Sequence, residues 1–402
     1  MTKEMIFNNK YFNIFILFIN TSIIDAFFKA LFIPASLISA IRLITNLIFI
    51  GAVIYYLLTA RIKSRRYILT IIFLIFTGMT ILWTTKKVEA IKLYINFIGA
   101  CSYFVLFFCI SYKENVLKTL KGYCNLLIIS NILALTILPG VGFMGTDPKE
   151  LVLSGIHLSR STMIVYMNFC IFIYAYYLKE FKLTDVKKLR IWIMMFLATL
   201  IVILSKSSTG IITVVLFLPL LFFNRFKKLG KVLLTISIAM GVALPLIKFT
   251  SSFLNNIIHG LFGKNLTFSG RTYIWQYALD KLIANPIVGS GFNSSMYLFQ
   301  NKVVPIYERV AAHAHNGFLE VYMQLGAIGV IIIVLLLIFT FKQACRLKYK
   351  ESIVIKSYLI VFIIFNFMEP YFIGNISVIT LWLPIIYITT LAHKKMKEKY
   401  NA

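Results

Sequence analysis

The sequence predicts an all-α, polytopic membrane protein of about 12 transmembrane helices, with one large extracytoplasmic loop that carries a short helix. Of the 402 residues, 60% are hydrophobic and only 14% are charged, whereas a soluble chain is typically about 45–50% apolar and about 25% charged. The apolar residues form continuous runs instead of alternating patterns, which favours helices over a barrel. This composition excludes a soluble enzyme, a disordered protein and a fibrous protein.

Twelve apolar runs approach the ~20 residues that a helix needs to cross a bilayer. Ionisable residues interrupt the first two of them: Asp25 and Lys29 lie four residues apart and can pair on one helix face, and the second run carries Arg42. We expect these three residues to be structural or to line a cavity. The runs are 11–33, 37–58, 67–85, 93–112, 122–139, 160–178, 190–205, 209–224, 231–248, 316–341, 355–369 and 375–392.

The positive charge indicates the orientation. Most of the 41 lysines and arginines fall in alternate connecting segments, starting with Lys3 and Lys10 at the N-terminus and ending in the C-terminal tail. Cytoplasmic loops carry such an excess, so we expect a protein of the cytoplasmic membrane with both termini in the cytoplasm. No small-residue cleavage site follows the first apolar run, which predicts an uncleaved first span. The net charge of +27 then reflects topology and attraction to anionic membrane lipid, and not a nucleic-acid partner.

The same pattern divides the chain into three regions. Residues 1–248 contain nine predicted transmembrane helices, 249–315 form the large extracytoplasmic loop, and 316–402 contain three more helices and a basic cytoplasmic tail. Within the loop, 271–284 has apolar residues near helical spacing, and Ser269 is its expected N-cap. The polar residues concentrate in this late loop, which predicts chemistry at the outer membrane surface.

The start of the loop helix is a candidate anion site. A helix N-terminus exposes unpaired N–H groups, and Arg271 beside it adds a planar fork that suits phosphate oxygens. A solvated arginine at a helix end is the alternative explanation. A positive charge is, however, unfavourable at a helix N-terminus, and this placement itself points to an anion.

A second candidate lies where the loop re-enters the membrane. His315 is suited to act as a general base because imidazole titrates near neutrality, and Asn316 can orient a partner. An interfacial anchor is the alternative for this histidine. His313 and His315 could also bind a metal, but no third ligand is evident, so we expect neither a metal nor a cofactor.

Three further polar groups map to the same predicted face. Arg160 begins a span, Lys206 lies in a short turn among hydroxyl residues, and Glu369 precedes a proline between the last two spans. Singly, a snorkelling arginine, a hairpin turn and a solvated acid explain them. Together, at span ends on one face, they favour a common outer cavity that binds an anion attached to a lipid.

Two segments of this region resemble the O-antigen ligase and polymerase family of bacterial polysaccharide enzymes. They are SGRTYIWQYALDKLIANPIVGSGFNSS (269–295) and HNGFLEVYMQLGAIGVIII (315–333). As in that family, a Ser-Gly-Arg opens a loop helix and an Asn-Pro-x-x-Gly-x-Gly turn follows. A His-Asn then leads into a span with a Gly-x-x-Gly.

The resemblance implies a metal-independent, inverting glycosyltransferase. Its donor would be a glycan on undecaprenyl pyrophosphate, presented at the outer face and transferred to a hydroxyl of a glycan acceptor. By the resemblance, Arg271 and Arg160 hold the pyrophosphate and His315 is the base. Family members often have an arginine in the short turn, where this chain has Lys206 as a point charge.

Two alternatives differ in the acceptor or in the class of protein. A polymerase adds the glycan to another lipid-linked unit, which is the function we favour, whereas a ligase adds it to lipid A-core or to a protein. A lipid-linked oligosaccharide transporter or flippase is the further alternative. It would spread charged residues through the span centres and usually repeat its halves.

Overall fold

The computed structural model describes most of the chain, and almost all of its regular structure is helical. Two short antiparallel strand pairs accompany the helices, β1 (Phe143–Met144) with β2 (Val152–Leu153) and β3 (Val303–Val304) with β4 (Arg309–Val310). The described residues are 3–20, 34–59, 67–137, 142–144, 152–157, 159–222, 226–246, 270–283, 285–300, 303–304 and 309–400.

The helices follow one another along the chain with short connections. The first seven are α1 (Lys3–Asn8), α2 (Lys10–Ile19), α3 (Ala35–Thr59), α4 (Ile68–Thr80), α5 (Lys87–Ile110), α6 (Lys113–Thr136) and α7 (Arg160–Glu180). Next come α8 (Asp185–Leu204), α9 (Ser208–Phe222), α10 (Phe226–Ala243) with a 3₁₀ turn (Leu244–Leu246), α11 (Arg271–Tyr277) with a π-helical turn (Ala278–Leu282), and α12 (Ser295–Phe299). The last are α13 (Gly317–Ala344), α14 (Tyr349–Phe365), and α15 (Asn375–Ser377), which continues through a π-helical turn (Val378–Trp382) into α16 (Leu383–Tyr400).

Each predicted apolar run overlaps one of these helices, so the chain is nearly all-α as predicted. Among the described residues, six helical segments are long and apolar enough to cross a membrane: α3, α5, α6, α7, α13 and Leu229–Leu246. Several others are shorter apolar helices, and the count of about twelve crossings stays a prediction. The first run is described only as far as Asn20, so Asp25 and Lys29 lie outside the described residues.

Helix α7 lies in the interior of the bundle. Within its most apolar window 89% of the residues are buried, against 28% for α3, and it contacts α6, α8, α9 and α14. From Met163 to Tyr177 its side chains are apolar or aromatic with the exception of Asn168, which is typical of a helix with no polar face. By contrast, α3 exposes Ile44 and Ile48, as a lipid-facing helix does.

Polar contacts at the helix ends divide the bundle into two faces. At one end of α7, the Lys113 ammonium bridges Glu180 at 2.5 Å and Glu351 at 3.0 Å. At the other end, Arg271 pairs with Glu369 at 2.9 Å. A helix of this length spans about 30 Å, close to the thickness of a bilayer core. Each contact joins segments that the alternation of charge assigns to the same side.

A break in α13 receives the turn that follows α11. Gly326 has φ 64° and ψ −168° in the middle of α13, so the regular helical hydrogen bonds cannot continue through it. A Cβ atom at this glycine would lie 2.2 Å from the Ile287 carbonyl oxygen. Backbone bonds from the turn satisfy the freed groups: Ser290 N–H to Met323 O (2.9 Å), Gly291 N–H to Gln324 O (2.8 Å), Ala327 N–H to Pro286 O (2.8 Å) and Ile328 N–H to Ile287 O (3.2 Å).

The opposite side of this turn contacts the C-terminal end of α4. The Trp83 indole N–H donates to the Gly289 carbonyl at 3.2 Å, and the Thr84 hydroxyl donates to the Phe292 carbonyl at 2.9 Å. The turn is therefore held on one side by side-chain donors that follow α4 and on the other side by backbone hydrogen bonds to α13, which fixes it as a rigid part of the bundle.

We predict that Gly326→Ala strongly destabilises the protein. The added methyl group collides with backbone, and a non-glycine residue at positive φ costs a further ~1–2 kcal/mol. Thermal unfolding in detergent should show a clear fall in Tm. The matched control is Gly51→Ala on α3, where no atom lies within 4 Å of the new methyl group. We call the backbone bonds between the turn after α11 and the broken α13 the interlock. An equal Tm for the two variants would contradict this interlock.

Candidate functional site

Arg271 begins α11 and pairs with Glu369, which lies between α14 and α15. Its Nη2 atom donates a 2.9 Å hydrogen bond to Oε1 of Glu369, whose side chain is only 7% exposed. The buried Nε atom of Arg271 has no hydrogen-bond partner among the described residues. A buried N–H without an acceptor costs about 1–3 kcal/mol, so this donor indicates a position for a ligand oxygen.

The residue before α11 differs from the predicted cap. Gly270 occupies the N-cap position with φ 87° and offers no side chain to accept from the helix. Ser269, the expected N-cap, lies outside the described residues. A glycine at positive φ lets the chain enter α11 through a turn that other residues adopt only under strain.

Glu369 lies at the centre of a polar cluster. Burial raises the pKa of its carboxyl above the usual range, and the charge of Arg271 opposes that rise most strongly. Three further groups act in the same sense as the arginine: His313, a hydrogen bond with Ser161, and the charge of Arg160. The structure thus brings both predicted arginines and a predicted histidine around one carboxylate, although they come from widely separated segments.

His313 and His315 lie side by side just before α13, with ring centroids 4.1 Å apart. Ala314 lies between them, and both of its backbone polar groups are bonded. Its N–H donates to Glu320 Oε2 at 2.9 Å, and its carbonyl accepts from Trp275 Nε1 at 2.9 Å. Because Trp275 is on α11, this bond fixes the imidazoles relative to the arginine that begins that helix.

The backbone of His315 has φ 51°, in the left-handed region. Among the described residues, two other non-glycine positions share a positive φ, Lys206 and Asn293. Such conformations cost about 1–3 kcal/mol and tend to occur at functional sites. All three belong to loops at the same end of the bundle.

The environment of His315 keeps its imidazole neutral. Burial lowers the pKa of His315 to about 2, and the charges of His313 and Arg271 act in the same direction. Its Nδ1 atom is buried without a partner among the described residues. A neutral imidazole can accept a proton, but only a negative charge arriving nearby would make it an effective base.

A cavity of about 370 Å³ opens beside His313. Its walls come from α7, α13, the turn after α11 and the segment after α14, and its volume falls in the ~300–1,000 Å³ range of small-molecule sites. Hydroxyl, amide and carboxyl groups in the wall suit a ligand rich in hydroxyls. Besides His313, the polar lining residues are Ser159, Thr162, Asn293, Glu320, Gln324 and Tyr371.

Two of these residues, Glu320 and Gln324, were missed in the sequence. Glu320 Oε1 accepts from the Ser295 hydroxyl and, at 2.8 Å, from Gln324 Nε2, while Gln324 Oε1 accepts the Asn293 N–H at 2.7 Å. They lie four residues apart on α13 and both are buried. A carboxylate one turn inside an apolar helix was the available signal, since such residues are usually functional.

Asn316 has a structural role that the sequence analysis did not predict. Its Oδ1 atom accepts the Leu319 N–H at 2.9 Å and so caps α13. Its Nδ2 atom donates to the carbonyls of Gly241 at 3.3 Å and Phe367 at 3.1 Å. The side chain therefore ties the start of α13 to α10 and to the connection after α14.

Two other singled-out residues lie apart from the cluster. The Lys206 side chain is exposed in the turn between α8 and α9, and no described contact joins it to the other site residues. Arg42 is buried, and its Nε atom donates a 2.9 Å bond to the Ile19 carbonyl, which supports the structural alternative for this residue.

The apolar helices define an integral membrane protein, and the polar cluster lies at one end of its helical bundle. Comparison with known families indicates which kind of membrane protein this chain resembles. Residues 193–334 match the family model described as O-antigen ligase, and this range contains α11, the interlocked turn, both histidines and the first part of α13. The resemblance of the 269–333 region to that family is confirmed.

Known relatives agree with this match over a limited length. The exopolysaccharide production protein ExoQ of Rhizobium meliloti is 29% identical over 136 residues, which are 30% of this chain and 31% of the relative. A protein of Rickettsia felis named as a candidate polysaccharide ligase is 29% identical over 117 residues, 26% of this chain and 29% of the relative. The matches thus span less than a third of the length of these two relatives.

We predict that His315→Gln reduces the loss of stability in acid. Between about pH 6.5 and the folded-state pKa, the unfolded chain binds a proton at His315 that the folded protein does not. Stability therefore falls as the pH decreases, by up to about 1.4 kcal/mol per unit. The Tm of the unmodified protein should fall more steeply than that of the variant from about pH 7 to about pH 5.

The difference in the pH dependence of Tm between the unmodified protein and the variant isolates the contribution of His315. His157, whose pKa burial lowers to about 3, is present in both and cancels. Parallel Tm curves would contradict the neutral, buried imidazole.

Proposed function

We propose that the protein is a membrane glycan polymerase. It transfers an oligosaccharide from undecaprenyl pyrophosphate to a sugar hydroxyl of another lipid-linked unit, at the outer face of the cytoplasmic membrane. The observation that carries the proposal is the convergence of Arg271, Arg160 and two imidazoles beside a polar cavity. The family match and the names of the relatives support a glycan transferase of the ligase or polymerase kind.

The pyrophosphate of the donor lies against the two arginines in this proposal. Glu369 holds one side of the Arg271 guanidinium, so that its unpartnered Nε–H is directed at a phosphate oxygen. Arg160 supplies a second positive charge to the same region. Fixed cations at the leaving oxygen stabilise the negative charge that develops there, which is often the largest catalytic contribution.

The reaction is a displacement at the anomeric carbon. The acceptor oxygen forms a bond to that carbon, the bond from carbon to the pyrophosphate oxygen breaks, and the hydroxyl proton passes to His315. Polyprenyl pyrophosphate leaves with the bonding electrons. Attack from the face opposite the leaving group inverts the anomeric centre.

The low pKa of His315 in the substrate-free protein fits this sequence of events. The bound pyrophosphate offsets the charge of Arg271, one of the causes that lower the imidazole pKa. The base is therefore strengthened when the donor is in place. The 370 Å³ cavity then receives a sugar residue, with Asn293, Glu320 and Gln324 available for its hydroxyls.

The orientation of the protein follows from the charge on its two ends. We assign the end that carries Lys113 and the other basic loops to the cytoplasm, with both termini, and the arginine–histidine cluster (Arg160, Arg271, His313 and His315) to the outer face. A transporter is disfavoured because the described ionisable cluster lies at helix ends, and not along the span centres.

The test is reconstitution of the purified protein with a lipid-pyrophosphate oligosaccharide as both donor and acceptor. We expect longer glycans on lipid, with release of undecaprenyl pyrophosphate. Transfer only to added lipid A-core or to a protein would assign the ligase function. Movement of the lipid across the bilayer without bond formation would assign a transporter.

We predict that His315→Ala abolishes polymer formation while the protein remains in the membrane. Loss of a general base typically costs about 10²–10⁴-fold in rate. Polymer length on a gel and pyrophosphate release are the measurements, and His313→Ala is measured in parallel. A normal polymer ladder from His315→Ala, with loss only in His313→Ala, would remove His315 from the base role.

We predict that Arg271→Ala lowers kcat by about 10²–10³-fold, as expected for a group that stabilises the transition state. Arg271→Lys should restore part of the rate, because lysine keeps the charge but not the fork. Lys206→Ala should lose less than Arg271→Ala, since its side chain is exposed. Arg346→Ala, at the other end of the bundle, is the matched control; equal rates for Arg271→Ala and this control would contradict the pyrophosphate site.

A further inference from the structure

A second, strongly basic cavity lies at the opposite end of α7. Its volume is about 600 Å³, and it is bounded by α2, α6, the C-terminal end of α7 and the start of α8. A single carboxylate, Glu114, is part of its lining. The basic pocket, as we call it, is lined by six cations: Lys10, Lys118, Lys121, Lys182, Lys187 and Arg190.

The basic pocket is separate from the arginine–histidine site. Tyr177 in its wall follows Arg160 by 17 residues along α7, which places the two regions about 25 Å apart. The glycan transfer proposed for the arginine–histidine site therefore does not explain why this pocket is basic.

Its positive charges are poorly balanced within the protein. Glu114 pairs with Lys118 at 2.5 Å, and the described contacts give no other carboxylate to the pocket cations. Lys121 is half-buried, with its ammonium 4.6 Å from the centroid of the Tyr177 ring. The charges are thus held together in a concave surface, although like charges repel.

The repulsion is strongest at Lys121, the innermost cation. Lys121 faces the like charges of Lys10, Lys187 and Lys118. The orientation rule requires basic residues on this side of the membrane, but it does not require that three helices and a connecting segment direct them into one cavity. A bound polyanion would relieve this repulsion.

We propose that the basic pocket binds an anion with two phosphate groups. Several cations around one cavity match such a ligand, and basic pockets between membrane helices bind lipid headgroups of this kind. The two sources of this chemistry are a diphosphate phospholipid headgroup, such as that of cardiolipin, and free pyrophosphate. Exposed Ile193 and Phe196 continue along α8 beyond the pocket, so that a lipid bound here could extend its chains along an apolar surface.

The experiment uses the full chain, purified in detergent. One arm adds cardiolipin against phosphatidylcholine, and the other adds inorganic pyrophosphate. Bound anions are counted by native mass spectrometry, and Tm is measured for each mixture. The pocket variant carries Lys121→Gln, Lys187→Gln and Arg190→Gln; the control variant, with the same change of charge at the same end, carries Lys342→Gln, Lys348→Gln and Lys350→Gln.

We expect the unmodified protein and the control variant to bind one of the two anions and to gain in Tm. The pocket variant should bind it about a hundredfold more weakly, because each of the three removed cations contributes about a fivefold factor. Binding of cardiolipin alone assigns the lipid source, and binding of pyrophosphate alone assigns the soluble source. Equal affinities for the two variants, or no binding of either anion, would overturn the proposal.

A second readout separates a folding failure from a loss of binding. Without anion, the pocket variant should have a Tm no lower than that of the control variant, since it removes mutual repulsion. The outcome is independent of glycan transfer, because none of the substituted residues belongs to the arginine–histidine site.

Discussion

The hydrogen bonds between the broken α13 and the turn after α11 are the constraint on which the site depends. Gly326 interrupts α13, and the N–H groups of Ser290 and Gly291 donate hydrogen bonds to carbonyls that the break leaves without a helical partner. The same turn presents Asn293 to the cavity. Because α13 also begins just after His315, one backbone interlock fixes the cavity wall relative to the imidazole. The glycines of the Gly-x-Gly and Gly-x-x-Gly motifs are thereby explained as packing requirements.

The sequence predicted the helices well because a long apolar run by itself indicates a segment that is surrounded by lipid or by other helices. A helix surrounded by lipid or by other helices needs no distant partner to be recognised, so runs such as 160–178 coincide with helices such as α7. Element ends were less certain, as the cap at Gly270 shows, because local turn geometry decides them. In the described part of the chain, length and composition support six crossing helices, while the crossing of shorter helices depends on packing that composition alone does not reveal.

The candidate site was predicted in part, for a physical reason. Arg271, Glu369 and Arg160 were singled out because exposed termini and lipid-depth charges are unusual in any context. Their mutual contacts depend on how separated segments pack, and only the fold supplies this. The network of Glu320 and Gln324 was missed because its partners, Ser295 and the backbone of the interlocked turn, are distant in sequence or are main-chain groups.

The two ends of α7 place positive charge in different physical settings. At the arginine–histidine end, Glu369 balances the charge of Arg271 and the neighbouring imidazole stays neutral, so most of the positive charge of the cluster is offset before an anion arrives. At the other end, the six pocket cations share one carboxylate. A transient substrate suits the first setting, because release of the leaving group must not be opposed by a large unbalanced charge. A tightly held anion suits the second, because its charge offsets the repulsion among the pocket cations.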